Sequence, residues 1–449
     1  MHGLFFFVRP ETPLSPDERE YIALGIHLAE SGELRLPTGE AAKRMPLYPA
    51  FIAAVYRWQG AEVWDNTVLM IQTLLAWCTT IIIALTAERL ADGRAAWMAG
   101  TVAAFYSPFH FLHMSFLTET LLIFLLSLAL LLYIAVGIQA RSVAGRWVGL
   151  IGVSLLIGLG ALTRANALLF LVPFAADAAW RAGAARRRAI RAVFVLLPAV
   201  AFVFWWGARN SRTIGAFTLS TSGGLNFYLG HNAHYAHDTG LGGETDYQAF
   251  DRLRREENLA EVEADQRLYD DGFAFITTNP WQTMLNTFQK TAVWMRTTLP
   301  QSGPLTLVLG LGAVVAGGWC RRRRGDLVDS RRSAYVVAMV SLVALFTWWV
   351  IVILDAKVPL TTPLYVVPIG LIALLLLRSR PNVRGLLIGL FASQLAVAVV
   401  FIPLTRLRWA VDGILIVAIG VGVSRLCRRL WAQPHGQTDS LGRESLLDP

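Results

Sequence analysis

Charge is scarce in this chain. Only 16% of its 449 residues are Asp, Glu, Lys or Arg, while 55% are hydrophobic and the mean hydropathy is +0.49. That balance excludes an ordinary soluble protein and points to a polytopic membrane protein. Cysteine is nearly absent. Of the three, Cys78 lies inside an apolar run, and Cys320 and Cys427 end such runs beside Arg clusters. No oxidised extracytoplasmic pair and no zinc spacing can be made from them. Internal repeats and low-complexity tracts are lacking. Leu4-Phe5-Phe6-Phe7-Val8 is too short for the apolar core of a cleavable signal peptide. The net charge of +9 comes from Arg clusters between apolar runs. These are topology signals, so no nucleic-acid partner is expected.

Apolar runs of membrane-crossing length fill most of the chain. They predict an all-α polytopic membrane protein with about 11 spans: 66–87, 94–112, 115–137, 147–163, 166–180, 190–208, 304–320, 333–354, 359–377, 384–403 and 409–426. Spans 147–163 and 166–180 are short and flank Thr163-Arg164-Ala165-Asn166, so a hairpin that does not fully cross is the alternative. Arg clusters fall on alternate loops, at 89–94, 141–146, 181–191, 321–332, 378–384 and 425–429. By the positive-inside rule those loops are cytoplasmic. Trp58, Trp64, Trp205, Trp206, Trp348, Trp349 and Trp409 then line the outer interface. The expected divisions are an outer segment 1–65, a bundle 66–208, an extracytoplasmic loop domain 209–303, a second bundle 304–431 and a polar, disordered cytoplasmic tail 432–449. A long outer N-terminus without a preceding span is awkward. The expectation is a missing first span, with Leu4 to Val8 as its remnant.

The outer segment holds the most informative residues. Ser15-Pro16-Asp17-Glu18 reads as a helix start, with Ser15 as N-cap, Pro16 at the first position and Glu18 closing a capping box. Asp17 is left without a local task beyond complementing the helix dipole. The amphipathic stretch after it, and the run 50–58, read as helices lying in the membrane interface. In the 209–303 loop a charged helical region is expected at 246–271. Polar residues that gather on one face of a membrane protein need a reason. The outer set is Asp17, Glu18, Lys43, Arg44, Glu119, Arg164, Asn166, Arg209, Lys357, Arg406 and Arg408. Each has a plainer alternative. Thr118-Glu119 can be a helix start, Arg164 to Asn166 a hairpin tip, and Arg406 and Arg408 cations that snorkel to headgroups. Together, one or two carboxylates and several Arg suit an anionic, phosphate-bearing lipid and a hydroxyl to be deprotonated. His231, His234 and His237 are spaced three apart, but in a Gly- and Asn-rich stretch that reads better as loop than as a metal site. Gly223-Gly224 lacks the Lys-Ser/Thr of a phosphate loop, so nucleotide binding is not expected.

The order of motifs resembles the GT-C superfamily of membrane glycosyltransferases. The similar branch is that of dolichyl-phosphate-mannose protein mannosyltransferases and bacterial aminoarabinose lipid A transferases. The carrying residues are Pro16-Asp17-Glu18-x-x-Tyr21, Arg44-x-Pro46-Leu47-Tyr48-Pro49, Leu117-Thr118-Glu119-Thr120 and Leu162-Thr163-Arg164-Ala165-Asn166-Ala167. They continue with Arg209-Asn210, then Gly223-Gly224-x-Asn226-x-Tyr228-x-Gly230, and Arg406-Leu407-Arg408. The resemblance implies a hexosyl- or pentosyltransferase of the bacterial inner membrane, working on the periplasmic or extracellular face. A polyprenyl-phosphate sugar would be the donor, a lipid, protein or glycan hydroxyl the acceptor, and the outcome inversion. It implies Asp17 as general base. Arg44, Arg209 and Arg406, supported by Arg164 and Arg408, would meet the phosphate charge, and Glu18, Tyr21, Tyr48, Glu119 and Asn166 would support the site or acceptor. No cofactor is called for, and a divalent cation stays open. Glu20 stands where aminoarabinose transferases have Arg, which argues against the same substrate. The rival class is a transporter or non-catalytic binder of lipid-linked or anionic substrates. The lack of paired repeats and matched broken spans speaks against transport.

Overall fold

The computed structural model describes residues 14–233, 248–295, 366–377, 379, 382–401 and 405–431. Among the described residues there are helices, turns and loops and no strand, and five helices are long and apolar enough to cross a membrane. The chain is an all-α, multi-pass membrane protein.

Two helices precede the first long one. α1 (Pro16–Ser31) begins with the expected capping box and ends at Gly32, whose φ of 79° suits a residue without Cβ. α2 (Leu47–Gln59) packs on α1 so closely that a Cβ at Gly25 would lie 2.4 Å from Ile52. α3 (Trp64–Leu90) has 27 residues, about 40 Å at 1.5 Å per residue, enough to cross.

The expected span 94–112 is not one helix. α4 (Gly93–Ala104) is capped by Asp92, whose Oδ1 accepts from Ala95 N–H at 2.9 Å. It stops after 12 residues, and Tyr106 turns extended (φ −76°, ψ 101°) ahead of the short α5 (Ser107–His113). Pro108 explains the restart, since a first-turn proline forfeits no helical hydrogen bond. α6 (Glu119–Leu132) continues as a π-helical turn to Ile138. α7 (Val143–Thr163), at 21 residues, is long enough to cross. At Arg164 the backbone is extended, and a 3₁₀ turn (Ala165–Phe170) leads into the short α8 (Leu171–Trp180).

α9 (Ala185–Ile214) has Pro198 inside it. Proline disturbs the helical ladder around it, and Ala199 N–H donates instead to Ser154 Oγ on α7, at 3.0 Å. The loop expected at 209–303 carries α10 (Gly223–Gly230), α11 (Ala249–Arg255), α12 (Glu261–Thr278) and α13 (Pro280–Met295). α14 (Val366–Leu375), α15 (Arg384–Val400) and α16 (Thr405–Trp431) complete the described chain. The expected spans 304–320 and 333–354, residues 234–247 and 296–303 of the loop before them, and the tail 432–449 lie outside the described residues.

α16 is the enclosed helix and α9 the open one. Of their apolar stretches 67% and 17% are buried, respectively. The main core runs from α1 and α2 through α3, α6 and α7 to α16, and a smaller cluster around Leu24, Leu36, Met45, Leu162 and Trp206 closes the junction between α1, α7 and α9.

Candidate active site

The capping box takes one carboxylate out of play. Glu18 Oε2 accepts from Ser15 N–H at 2.9 Å, and Glu18 Oε1 accepts from Phe116 N–H, just before α6, at 3.0 Å. The box fixes the first turn of α1 and turns Asp17 and Glu20 toward the 40–44 loop. There Arg44 bridges both: Nη2 lies 2.5 Å from Asp17 Oδ1, and Nε donates to Glu20 Oε2 at 2.6 Å. Its guanidinium also sits 5.2 Å from the Tyr21 ring centre. Burial opposes the charge of Arg44, but Asp17, Tyr21 and Glu20 outweigh it and hold it firmly protonated. Lys43 extends the chain of charges to Glu20 (3.0 Å) and Asp251 (3.3 Å), over the face of Phe250. The result is a partly open network of three acids and two bases.

The loop that carries Lys43 and Arg44 is held from a distance. Glu261, at the start of α12, accepts from Ala41 N–H (2.8 Å), Ala42 N–H (3.0 Å) and Thr221 Oγ (2.6 Å). Ser220 Oγ donates to Lys43 O at 2.8 Å. Arg209, at the end of α9, donates to Ala41 O (2.7 Å) and Leu34 O (3.1 Å) and lies over Trp206. Neither Glu261 nor Ser220 stood among the expected site residues. Glu261 opens a charged helix, and its sequence surroundings look like solvated surface. A groove of about 520 Å³ runs along α9 up to this point, lined by Leu197, Val200, Phe204 and Trp205 and ending at Arg209 and Arg212.

A second polar cluster lies against the first. Tyr21 packs edge-on against Tyr48, with ring centres 5.3 Å apart. Tyr48 OH donates to Gln72 Oε1 at 2.7 Å, and Gln72 Nε2 in turn reaches the carbonyls of His113 and Ser115. Burial, then the facing Glu119, Tyr21 and Glu18, push the Tyr48 phenol well above its usual range, so it stays a neutral donor. Glu119 is 1% exposed and receives Arg164 Nη1 at 2.5 Å; Arg164 also reaches Thr118 Oγ at 3.2 Å. Two residues on, Asn166 Nδ2 donates to Gln394 Oε1 on α15 at 3.0 Å.

Arg408 is elsewhere. It is wholly buried and forms an ion pair with Asp412 at 3.0 Å; Tyr106 OH also donates to Asp412, and Arg408 Nη1 donates to Trp294 O at 2.7 Å. The side chain of Arg406 lies outside the described residues, as do Lys357, His234 and His237. Among the described residues no three His, Cys, Asp or Glu gather as a metal site.

The structure therefore brings together Asp17, Glu20, Tyr21, Lys43 and Arg44, with Tyr48, Glu119, Arg164 and Asn166 behind them and Arg209 at the rim. Such a cluster can take a proton from a hydroxyl and stabilise an anion.

No family model matches the chain, and no curated protein does. Solved structures are similar to it along most of its length. ArnT from Cupriavidus metallidurans in the apo state is 17% identical, with a TM-score of 0.42 over 95% of this chain and 76% of that one. The same protein bound to undecaprenyl phosphate is 17% identical, with a TM-score of 0.41, 96% of this chain and 77% of that one covered. The oligosaccharyltransferase AglB from Archaeoglobus fulgidus, in complex with an inhibitory peptide and a dolichol-phosphate, is 11% identical, with a TM-score of 0.46 over 96% of this chain and 51% of that one.

Proposed function

We propose that this chain is an inverting GT-C-type glycosyltransferase, taking a sugar from a polyprenyl-phosphate donor to an acceptor hydroxyl on the outer face of the membrane. The observation that carries the reading is the Asp17–Arg44–Glu20 bridge at the start of a capped helix. In it a base and a phosphate ligand occupy one another. When the lipid phosphate arrives, the Nη edge of Arg44 turns to it while Nε stays on Glu20. The hold of Arg44 on Asp17 is thereby relaxed. Asp17 accepts the acceptor proton as the acceptor oxygen bonds to the anomeric carbon; the bond from that carbon to the phosphate oxygen breaks, and the electron pair leaves with the polyprenyl phosphate. The α9 groove takes the start of the lipid chain, with Arg209 and Arg212 at its end guiding the phosphate toward Arg44. Glu119, held by Arg164, faces Tyr48 and orients the acceptor together with Asn166. Arg406 adds charge near the donor, and Arg408, tied to Asp412, positions α13 through the Trp294 carbonyl.

The test compares envelope glycans and polyprenyl-phosphate sugars in cells lacking the protein, rescued with wild type or Asp17→Asn. Loss of one glycan, accumulation of its lipid donor, and reversal by wild type alone support the reading and identify sugar and acceptor. Full rescue by Asp17→Asn overturns it.

A further inference from the structure

The chain contains 37 Arg and only three Lys, at 43, 357 and 290. Where a cation is needed, this sequence almost always uses Arg, whose charge is never lost. Lysine differs in that burial can strip its proton. Lys290, in the middle of α13, is wholly buried. The other cations in the candidate site reach carboxylates, apart from Arg209, which is held by carbonyls. Lys290 reaches none among the described residues. Its Nζ lies 3.1 Å from His231 Nε2 and 3.3 Å from Val399 O. His231 is itself buried, and its Nδ1 lies 3.0 Å from Phe227 O. Nδ1 therefore carries the ring proton, and Nε2 offers a lone pair to the amine. The fit is tight: a Cβ on Gly230 would lie 2.7 Å from the Lys290 Nζ and 2.5 Å from Phe401 O.

Among the described residues no carboxylate compensates a charge on this amine. On α12, Asp265 accepts Gly224 N–H and Tyr269 abuts Gly223, at the far end of α10; Glu261, Glu263, Arg267, Asp270 and Asp271 share that helix. On α16, Arg408 and Asp412 neutralise each other. α10 carries no charged residue, and on α15 Arg384 stands at the opposite end.

We infer that Lys290 is a proton-operated latch. Uncharged, it ties the end of α10 and the end of α15 to α13; charged, beside a second basic group and with no carboxylate among the described residues to pair with, it lets them part. What the latch holds is the Gly-rich segment 223–230, whose first residues pack on α12 beside Glu261 and so beside the anchor of the 40–44 loop. The inference does not depend on the transferase reading.

The pH range follows from the shifts. Burial drops the Lys290 amine from its ordinary 10.5 to about 7. A depressed lysine penalises the closed state progressively as pH falls from 10.5 to 7, with no further change below that. Burial and then Lys290 drop His231 from 6.5 to about 4, so its penalty builds only between those values. Asp265, raised by burial to about 6, titrates below the lysine range and has the opposite sign.

The experiment is hydrogen–deuterium exchange of the purified full chain in nanodiscs at pH 7, 8 and 9, corrected for intrinsic exchange, read on peptides covering 223–232. Protection should rise by up to about tenfold per pH unit in wild type and stay flat and high in Lys290→Met. Wild-type protection that does not change between pH 7 and 9, or a Lys290→Met profile that tracks wild type, overturns the latch. Should Lys290→Met not fold, competitive acylation of wild type decides. With three lysines the labelled peptides are resolved individually, and Lys290 must titrate well below an ordinary amine; an ordinary profile overturns the inference.

Discussion

Two of the Arg–Asp pairs in this molecule lie under opposite conditions. Arg44 and Asp17 meet at 2.5 Å with about a fifth of each side chain exposed (18% and 23%). Arg408 and Asp412 meet at 3.0 Å with none. The chemistry of the partners is the same, and the surroundings differ. Water at the first pair can stabilise either ion while it is apart, so the pair can exchange partners at modest cost. At the second pair separation would leave a bare charge inside a helical bundle, so the pair is fixed. The first arrangement suits a site that must open to a ligand, and the second suits a structural joint.

One substitution made at both places gives the sharpest break in this comparison. Asp17→Asn should lower turnover by about 10²–10⁴-fold, the usual worth of a general base, while the melting temperature in detergent stays near wild type. Asp412→Asn should do the reverse: it strands the Arg408 charge and costs on the order of 3–5 kcal/mol, seen as poor yield or a large drop in melting temperature. If Asp17→Asn proves as unstable as Asp412→Asn, the contrast collapses. Replacing Arg408 and Asp412 together with Met and Leu should recover much of that stability, since a buried pair is often replaceable by apolar residues of similar volume. Arg44→Lys keeps the charge but loses the fork that spans Asp17 and Glu20, and should raise KM for the lipid donor by roughly tenfold with little change in stability. The smallest effect belongs to the cap: Ser15→Ala should cost about 1 kcal/mol in thermal unfolding and leave the charge network intact.

Much of this was legible in the sequence, for a physical reason. The capping box at Ser15 and Glu18, the helices after it and the long spans are local patterns, set by residues within a few turns of each other. Most of the failures are at long range. Nothing around Glu261 announces that its carboxylate will accept N–H groups from residues 41 and 42, some 220 positions earlier. Asp412 falls inside the expected span 409–426, and only the fold reveals Tyr106, 306 residues away, as a partner beside Arg408. The break at residues 105–106 was hidden because the hydropathy of 94–112 carries on through it. His231 looked like part of a solvated loop, and the fold buries it against Lys290 of α13.

The Glu261 anchor also has a consequence for how the protein is made. The 40–44 loop leaves the ribosome early, but the carboxylate that fixes its backbone is encoded past the middle of the chain. Until that portion has been synthesised, the loop backbone that presents Lys43 and Arg44 to Asp17 and Glu20 lacks its anchor. More than half of the chain must therefore be translated before this charge network reaches its final geometry, and the helix that completes it lies outside the network.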